Sequence, residues 1–378
     1  MSKLNMVCPG GGTGISLYNL NLIKALKKRF NCNIHLLTSK DYEFFEVVNE
    51  AEVKYLTTKF YSSSNNKFIK KIGTLFYVLK FYIKILIMFF LKKETIVFQR
   101  NFYYLDFLFN SLLKKNNLIL ITHDVHPLNY IVNKKIDTFF LRKSYKSYNQ
   151  FIVHSLKNKQ ELHQDFGVEL NNIKVIDHGI SQPIGVTNEK KEQFISKYNL
   201  SKSKKIILFF GVVRKNKGIE VLLNSTKQLD KSEYQLVIAG KGNDGISKYI
   251  KEFIQANNLE ENVIFINRHI LEEEIPIIFS IADFNVLPYT YFHSQSGVLA
   301  QSISYLLPVV VTNVGSMEEW VYKYEIGLVC QANNHEELIK SIQYMIKDWD
   351  YNSSKENLEN CRYNLLWENV VSKYKDIL

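Results

Sequence analysis

At 378 residues the chain is long for one hydrophobic core and comfortable for two. Hydrophobic residues make up 46% and charged residues 22%, an ordinary globular balance that excludes a disordered chain. The net charge of +11 suits an anionic partner, whether nucleotide, nucleic acid or membrane surface, without choosing among them.

In chain order, KLNMVCP reads as a short apolar strand that runs into CPGGGTGIS at residues 8–16. SLYNLNLIKALKKRF follows with apolar residues at helical spacing. Glycines and Pro9 interrupt the first apolar run, so no signal peptide is expected. NIHLLTS, TIVFQR, LILITHD and QFIVHS read as further strands separated by helices, which argues for a parallel sheet with crossovers. IKVIDHGIS closes the first half, and the polar stretch 181–203, with Pro183, is the expected linker. The pattern then restarts: KKIILFFGV as strand, KGIEVLLNSTKQL as helix, YQLVIAGKG, NVIFIN, FNVLPY and LPVVVTNVG as strands.

The expected architecture is therefore α/β, with two Rossmann-like domains facing a central cleft. Residues 1–180 form the first domain, 181–203 a hinge and 204–360 the second domain. Residues 361–378 form a carboxyl-terminal helix that packs back on the first. Ligands in such sheets sit outside the carboxyl ends of the strands. Cys8, Cys32, Cys330 and Cys361 are far apart with no CxxC pair, as expected of reduced thiols in a cytosolic protein.

The glycine loop does not fit a nicotinamide cofactor. Gly10 and Gly12 would need a third glycine where Ile15 stands, and Gly12 and Gly14 would need one where Leu17 stands. An NAD-dependent oxidoreductase is thus disfavoured, leaving a tight turn or a loop whose amides approach a diphosphate. His123, Asp124 and His126 in THDVHP lack a fourth ligand, and DWD at 348–350 lies in a polar helical region, so no metal is expected.

FFGVVRKNKGIEVLL carries Arg214, Lys215 and Lys217 from a strand's carboxyl end into a helix, a natural diphosphate clamp. Ser296-Gly297-Val298 is expected to open another helix. Arg268 and His269 follow a strand, where they face either a nucleobase or solvent.

The run from Gly211 to Gly327, with FG…R..KG, VLPY, SGV, PVV.T.VG…E and IGLV, resembles the family-4 retaining glycosyltransferases of GT-B architecture, of the bacterial surface-polysaccharide type. The resemblance implies hexosyl transfer from a UDP- or GDP-linked sugar bound on the second domain, with the acceptor on the first. It implies donor phosphates held by Arg214 and Lys217, and backbone amides of Ser296, Gly297 and Val298 on phosphate or sugar. Gly11 and Gly12 would stabilise the leaving diphosphate. His123 would contact the sugar, the alternative being a strand-end turn closed by Pro127. Glu319 matches an acidic position near the donor, or is one of two surface charges favouring a helix dipole. The departure from the family is a pair of glutamates eight positions apart, replaced here by His293 and Gln301. A glutamine still accepts hydrogen bonds from ribose hydroxyls, without charge assistance. That loss keeps a non-catalytic sugar-nucleotide or membrane-binding protein open as a second reading.

Residues 67–93 contain seven lysines, among them Lys70, Lys71, Lys80 and Lys84, and no acid. Ile72, Phe76, Leu79, Ile83, Leu86 and Phe90 share one helical face. Lys80 and Lys84 are expected to interrupt the run short of the ~20 residues a span needs. Phe81, Met88 and Phe89 are expected to crowd the lysine side. The stretch reads as an interfacial helix on an anionic membrane, which implies a lipid-linked acceptor and a peripheral place at the inner face of the cell membrane. Lysines on an apolar helix make no stacking platform, so nucleic acid is not the expected partner.

Overall fold

Strand-length runs of Val, Ile, Leu and Phe alternate with helix-length segments throughout, and the chain folds accordingly. The structure, a computed structural model, describes residues 3–10, 13–42, 47, 49–59, 66–127, 130–292 and 295–377. It divides into two units, Met1–Gly179 with Trp367–Leu378, and Ile180–Leu366.

The first unit runs β1 (Lys3–Val7), α1 (Thr13–Phe30), β2 (Asn33–Ser39), β3 (Glu52–Thr57), α2 (Lys67–Phe89), β4 (Thr95–Phe98), α3 (Asp106–Leu112), β5 (Asn117–Thr122), α4 (Lys134–Tyr145), β6 (Gln150–Val153), α5 (Leu156–Phe166) and β7 (Ile173–Val175). Its parallel sheet has the order β3-β2-β1-β4-β5-β6-β7. Alternation splits the central strands between two cores. Leu118 and Leu120 pack with Phe98, Phe151 and α2 on one face, while Ile119 and Ile121 pack with Met6, Leu36 and α1 on the other.

The second unit runs α6 (Asn188–Lys197), β8 (Lys205–Phe210), α7 (Ile219–Thr226), β9 (Tyr234–Ala239), α8 (Asp244–Ala256), β10 (Val263–Ile266), α9 (Ile275–Ile281), β11 (Phe284–Leu287), α10 (Gly297–Ser304), β12 (Val309–Thr312), α11 (Met317–Tyr324), β13 (Gly327–Cys330), α12 (His335–Lys347) and α13 (Tyr351–Leu365). Its sheet, also parallel, has the order β10-β9-β8-β11-β12-β13. Both units are thus Rossmann-like.

The boundaries differ from the expectation. The units part at Gly179/Ile180, so 181–203 is not a separate linker but part of the second unit. Thr187 caps α6 by accepting from the Lys190 amide, and Phe194 of α6 is buried with Ile278 and Phe279 of α9. The polar surface of that helix is what resembled a linker. The return to the first unit comes at Trp367 rather than at residue 361, because α13 buries Leu358, Cys361 and Leu365 in the second unit. Trp367, Val370, Val371 and Tyr374 then join the α1-side core of the first.

Trp367 fixes that return. A Cβ at Gly179 would lie 2.2 Å from Trp367 Cδ2. Gly179→Ala is therefore expected to displace the indole and cost about 1–3 kcal/mol. The check is thermal unfolding of the full chain; an unchanged midpoint would mean the indole relocates without loss.

On α2 the structure revises two expectations. Val78, Phe81, Tyr82, Ile85 and Phe89 are buried in the core, so Phe81 and Phe89 face inward and do not crowd the lysines; Met88 is half-buried against the same core. The opposite face, with Ile72, Phe76, Leu79, Ile83 and Phe90, is exposed, and Leu86 is half-buried. Second, Ile72–Phe89 is long and apolar enough to cross a membrane, with mean hydropathy 1.8, because two lysines do not outweigh sixteen other residues. In this fold its inner face is occupied by the unit's own core. The side chains of Lys70 and Lys71 lie outside the described residues.

Candidate functional site

In the second sheet the strand order reverses between β8 and β11, which opens a crevice at their carboxyl ends. The two loops leaving them are hydrogen-bonded together. The Thr290 amide donates to the Asn216 carbonyl at 3.0 Å, and Asn216 Nδ2 donates to the Tyr291 carbonyl at 3.2 Å. Gly218 turns the first loop into α7 with φ 73°, and a Cβ there would lie 1.8 Å from the Pro288 carbonyl oxygen. Gly211 has φ 103° and approaches Val298 so closely that a Cβ would meet Val298 Cγ2 at 3.5 Å. The loop after β8 thus lies against the first turn of α10.

Lys217 is half-buried, with Nζ 3.6 Å from the Tyr289 ring centroid and 4.6 Å from that of Phe292. Burial, and secondarily the charge of Arg214, lower its ammonium to about 8. Tyr289 Oη lies 3.1 Å from Ser296 Oγ, and Ser296 Oγ accepts from the Leu299 amide at 3.4 Å to cap α10. Gly297 stands at that helix start, with no described atom within 4 Å of where a Cβ would be. Gln301 is half-buried one turn further on, and Arg214 is exposed. Two cations and a helix N-terminus in one neighbourhood suit an anionic diphosphate.

Other expected residues fare differently. Glu319 is half-buried in the first turn of α11. Arg268 follows β10 as expected, but both arms of its guanidinium are held by Glu274 at 2.6 Å and 2.6 Å, with Tyr198 Oη at 3.2 Å. Arg268 thereby clamps the β10 loop to α9. His269 is exposed. Asp350 of the DWD triplet caps α13 through the Asn352 and Ser353 amides. Gly11, Gly12 and His293 lie outside the described residues.

The first sheet reverses between β1 and β4. Near that point a cavity of about 400 Å³ is lined by Gln99, Asn101, Thr122, His123, Asp124 and Tyr145, among others. Among the described residues, both amide atoms of Gln99, Nδ2 of Asn101, Oγ1 of Thr122 and Nε2 of His123 have no hydrogen-bond partner. Gln99 is only 1% exposed. Buried polar groups left unpaired around a cavity are waiting donors and acceptors for a polar ligand.

His123 belongs to a group the sequence reading missed. His123, His154 and His178 follow β5, β6 and β7, and Tyr18 packs against all three, edge-on to His123 and tilted to the others, at centroid distances of 4.7, 5.3 and 5.1 Å. Trp367 packs on Tyr18 at 5.1 Å, and Tyr374 Oη meets Tyr18 Oη at 2.8 Å. Burial holds the His123 imidazole well below its ordinary range, with His154 and His178 adding to it, and lowers His178 to about 3. All three rings are neutral at pH 7, so His123 acts there as a hydrogen-bonding group without charge. The available signal was positional: each histidine stands directly after or shortly beyond a strand end.

Residues 190–364 match the family model of glycosyl transferases group 1. An uncharacterized glycosyltransferase of Methanocaldococcus jannaschii is 26% identical over 238 residues, 60% of this chain and 60% of that protein. An uncharacterized 41.2 kDa protein in the cps region of Klebsiella pneumoniae is 26% identical over 246 residues, 63% of each. The chain thus spans less than two thirds of the length of these relatives. The crystal structure of Anabaena HepE in complex with UDP superposes with TM-score 0.75 over 100% of this chain and 98% of that one, at 16% identity, and shares its GT-B fold. The reversed strand order, the lysine loop and the capped helix of the second unit therefore lie in the region that matches the glycosyl transferases group 1 model.

Proposed function

We propose that the chain is a retaining glycosyltransferase that moves a hexose from a UDP- or GDP-linked donor to a saccharide acceptor carried on a lipid. The observation that carries this reading is Lys217, a desolvated ammonium beside the capped start of α10 at the strand-order reversal. There Lys217 and Arg214 neutralise the departing diphosphate, and the amides of Ser296, Gly297 and Val298 add hydrogen bonds. Gln301, His293 and Glu319 address the ribose and the sugar. The UDP bound to HepE, which shares the fold, supports a nucleotide-linked donor.

The cavity of the first unit takes the acceptor saccharide or the donor's sugar, with Gln99, Asn101 and neutral His123 facing hydroxyls. The exposed apolar face of α2, with Lys80 and Lys84, rests on an anionic membrane and brings the chain to a lipid-linked acceptor. The cps-region setting of the Klebsiella relative fits surface-polysaccharide assembly at the inner membrane face. No nucleophilic side chain enters this reading, because the acceptor attacks from the leaving-group face.

Gln301 on α10, where the resembled family carries a glutamate, favours one second reading: a protein that binds sugar nucleotides without turning them over. Calorimetry and slow hydrolysis with a panel of UDP- and GDP-sugars separate the two. Binding with hydrolysis of one donor is expected. Binding without hydrolysis or transfer to any acceptor supports the second reading, and no binding at all sinks both.

A further inference from the structure

Three consecutive surface helices of the first unit carry just two carboxylates between them, in an unusual disposition. Helices α2, α3 and α4 contain only Asp106 and Asp137 as acids, and both point inward. Tyr82 Oη of α2 donates to Asp106 Oδ1 at 2.5 Å, and Ser144 Oγ of α4 donates to Asp106 Oδ2 at 2.7 Å. Asp137 receives the hydroxyls of Tyr103 and Tyr104. The carboxylates thus lock the three helices together from inside, and the outer faces of these helices carry no acid among the described residues.

Those outer faces are apolar at helical spacing. Phe76 and Ile83 of α2 are 61% and 44% exposed, and Leu108 and Leu112 of α3 are exposed one turn apart. On α4, Ile136 and Phe139 are exposed, Phe139 at 55%, with Lys135, Arg142, Lys143 and Lys146 exposed around them. Lys143 Nζ lies 4.7 Å from the Phe139 ring centroid and 5.4 Å from that of Phe107, so its stem lies along the apolar side chains of α3 and α4. Together these groups exceed the scattered apolar residues normal on a soluble surface.

We infer that α3 and α4 extend the α2 contact into one docking face for an anionic lipid surface, with Leu108, Leu112, Ile136 and Phe139 entering the headgroup boundary and Lys135, Arg142, Lys143 and Lys146 at the phosphates. The occupant follows from charge: a face whose only acids are turned inward complements an anionic leaflet, whereas a second copy of this chain would bring like charge against like charge. The inference rests on the peripheral membrane reading proposed for α2 and assigns its remaining footprint.

The test is flotation of the full chain with phosphatidylcholine vesicles containing phosphatidylglycerol, and with phosphatidylcholine alone. Ile136→Ser with Phe139→Ser on α4 is expected to weaken binding to the anionic vesicles about tenfold, and Phe76→Ser with Ile83→Ser on α2 by a similar factor. All four side chains are exposed, so unfolding midpoints are expected to stay near that of the unaltered chain. Binding by the α4 variant equal to the unaltered protein overturns the extended face, even where the α2 variant has lost binding and the α2 contact survives. Equal binding to neutral vesicles overturns the charge argument. A dimer in light scattering that the α4 variant dissociates, without vesicle binding, assigns the face to a second copy and overturns the lipid.

Discussion

Replacing Lys217 with methionine is expected to lower donor turnover by about a hundred- to a thousandfold, the cost of removing one preorganised charge stabiliser. Methionine keeps most of the stem that lies against Tyr289 and Phe292, so the loss reports charge and not packing. In the folded chain the ammonium titrates at about 8 instead of 10.5. A bound diphosphate raises it again, so donor binding takes up a proton above pH 8. Affinity is then expected to fall about tenfold between pH 7 and pH 9. Stability moves the other way. Between about 8 and 10.5 the unfolded chain holds the proton that folded Lys217 has released, so the stability of the unliganded protein gains from this group as pH rises. Calorimetry across that range, with thermal unfolding alongside, reads both slopes. A Lys217→Met variant that retains the steep loss of affinity would remove Lys217 from the phosphates.

Gly218→Ala is the second large effect. The left-handed φ of 73° costs a β-carbon about 1–2 kcal/mol, and the Pro288 carbonyl at 1.8 Å from the built Cβ leaves the loop no place to stay. The loop carrying Arg214 and Lys217 must therefore shift away from the one carrying Tyr289. Donor affinity is expected to drop at least about tenfold, with a lowered unfolding midpoint. Gly185→Ala is the control, because nothing lies within 4 Å of a Cβ there and no left-handed φ is required. Unchanged donor affinity in Gly218→Ala would mean that the junction of the two loops does not shape the site.

Much of the fold was readable because central strands of a parallel sheet are buried on both faces. KIILFF, YQLVIA and LILITHD carry their own signal in continuous apolar runs, as P-free stretches bounded by glycine or polar turns. The edge strand β3 was not read. Its sequence EVKYLT is half exposed and becomes a strand only by pairing with β2, with a register shift at Thr38/Ser39. Helix α6 was mistaken for a linker for a similar reason: one buried residue, Phe194, is too little apolar surface to mark a face.

At the candidate site, cations and glycines at strand ends were legible because they stand close together in sequence, from Gly211 to Gly218. The ion-pair partner of Arg268 was not legible, because Glu274 is one of several acids in LEEEIP and only geometry selects among them. The histidine cluster escaped because its members are separated by whole strand–helix repeats.

By itself the sequence determined two doubly wound α/β units, the lysine loop and the basic apolar helix, since each is written in the spacing of near neighbours. Tertiary structure alone decided which side chains were consumed and which were left available. Asp106 is reached by Tyr82 and Ser144, Trp367 closes on Gly179, and the Gln99 side chain, beside a cavity, has no partner among the described residues. Those outcomes depend on segments brought together from distant parts of the chain, and a hydrogen bond or a void exists only once both sides are in place.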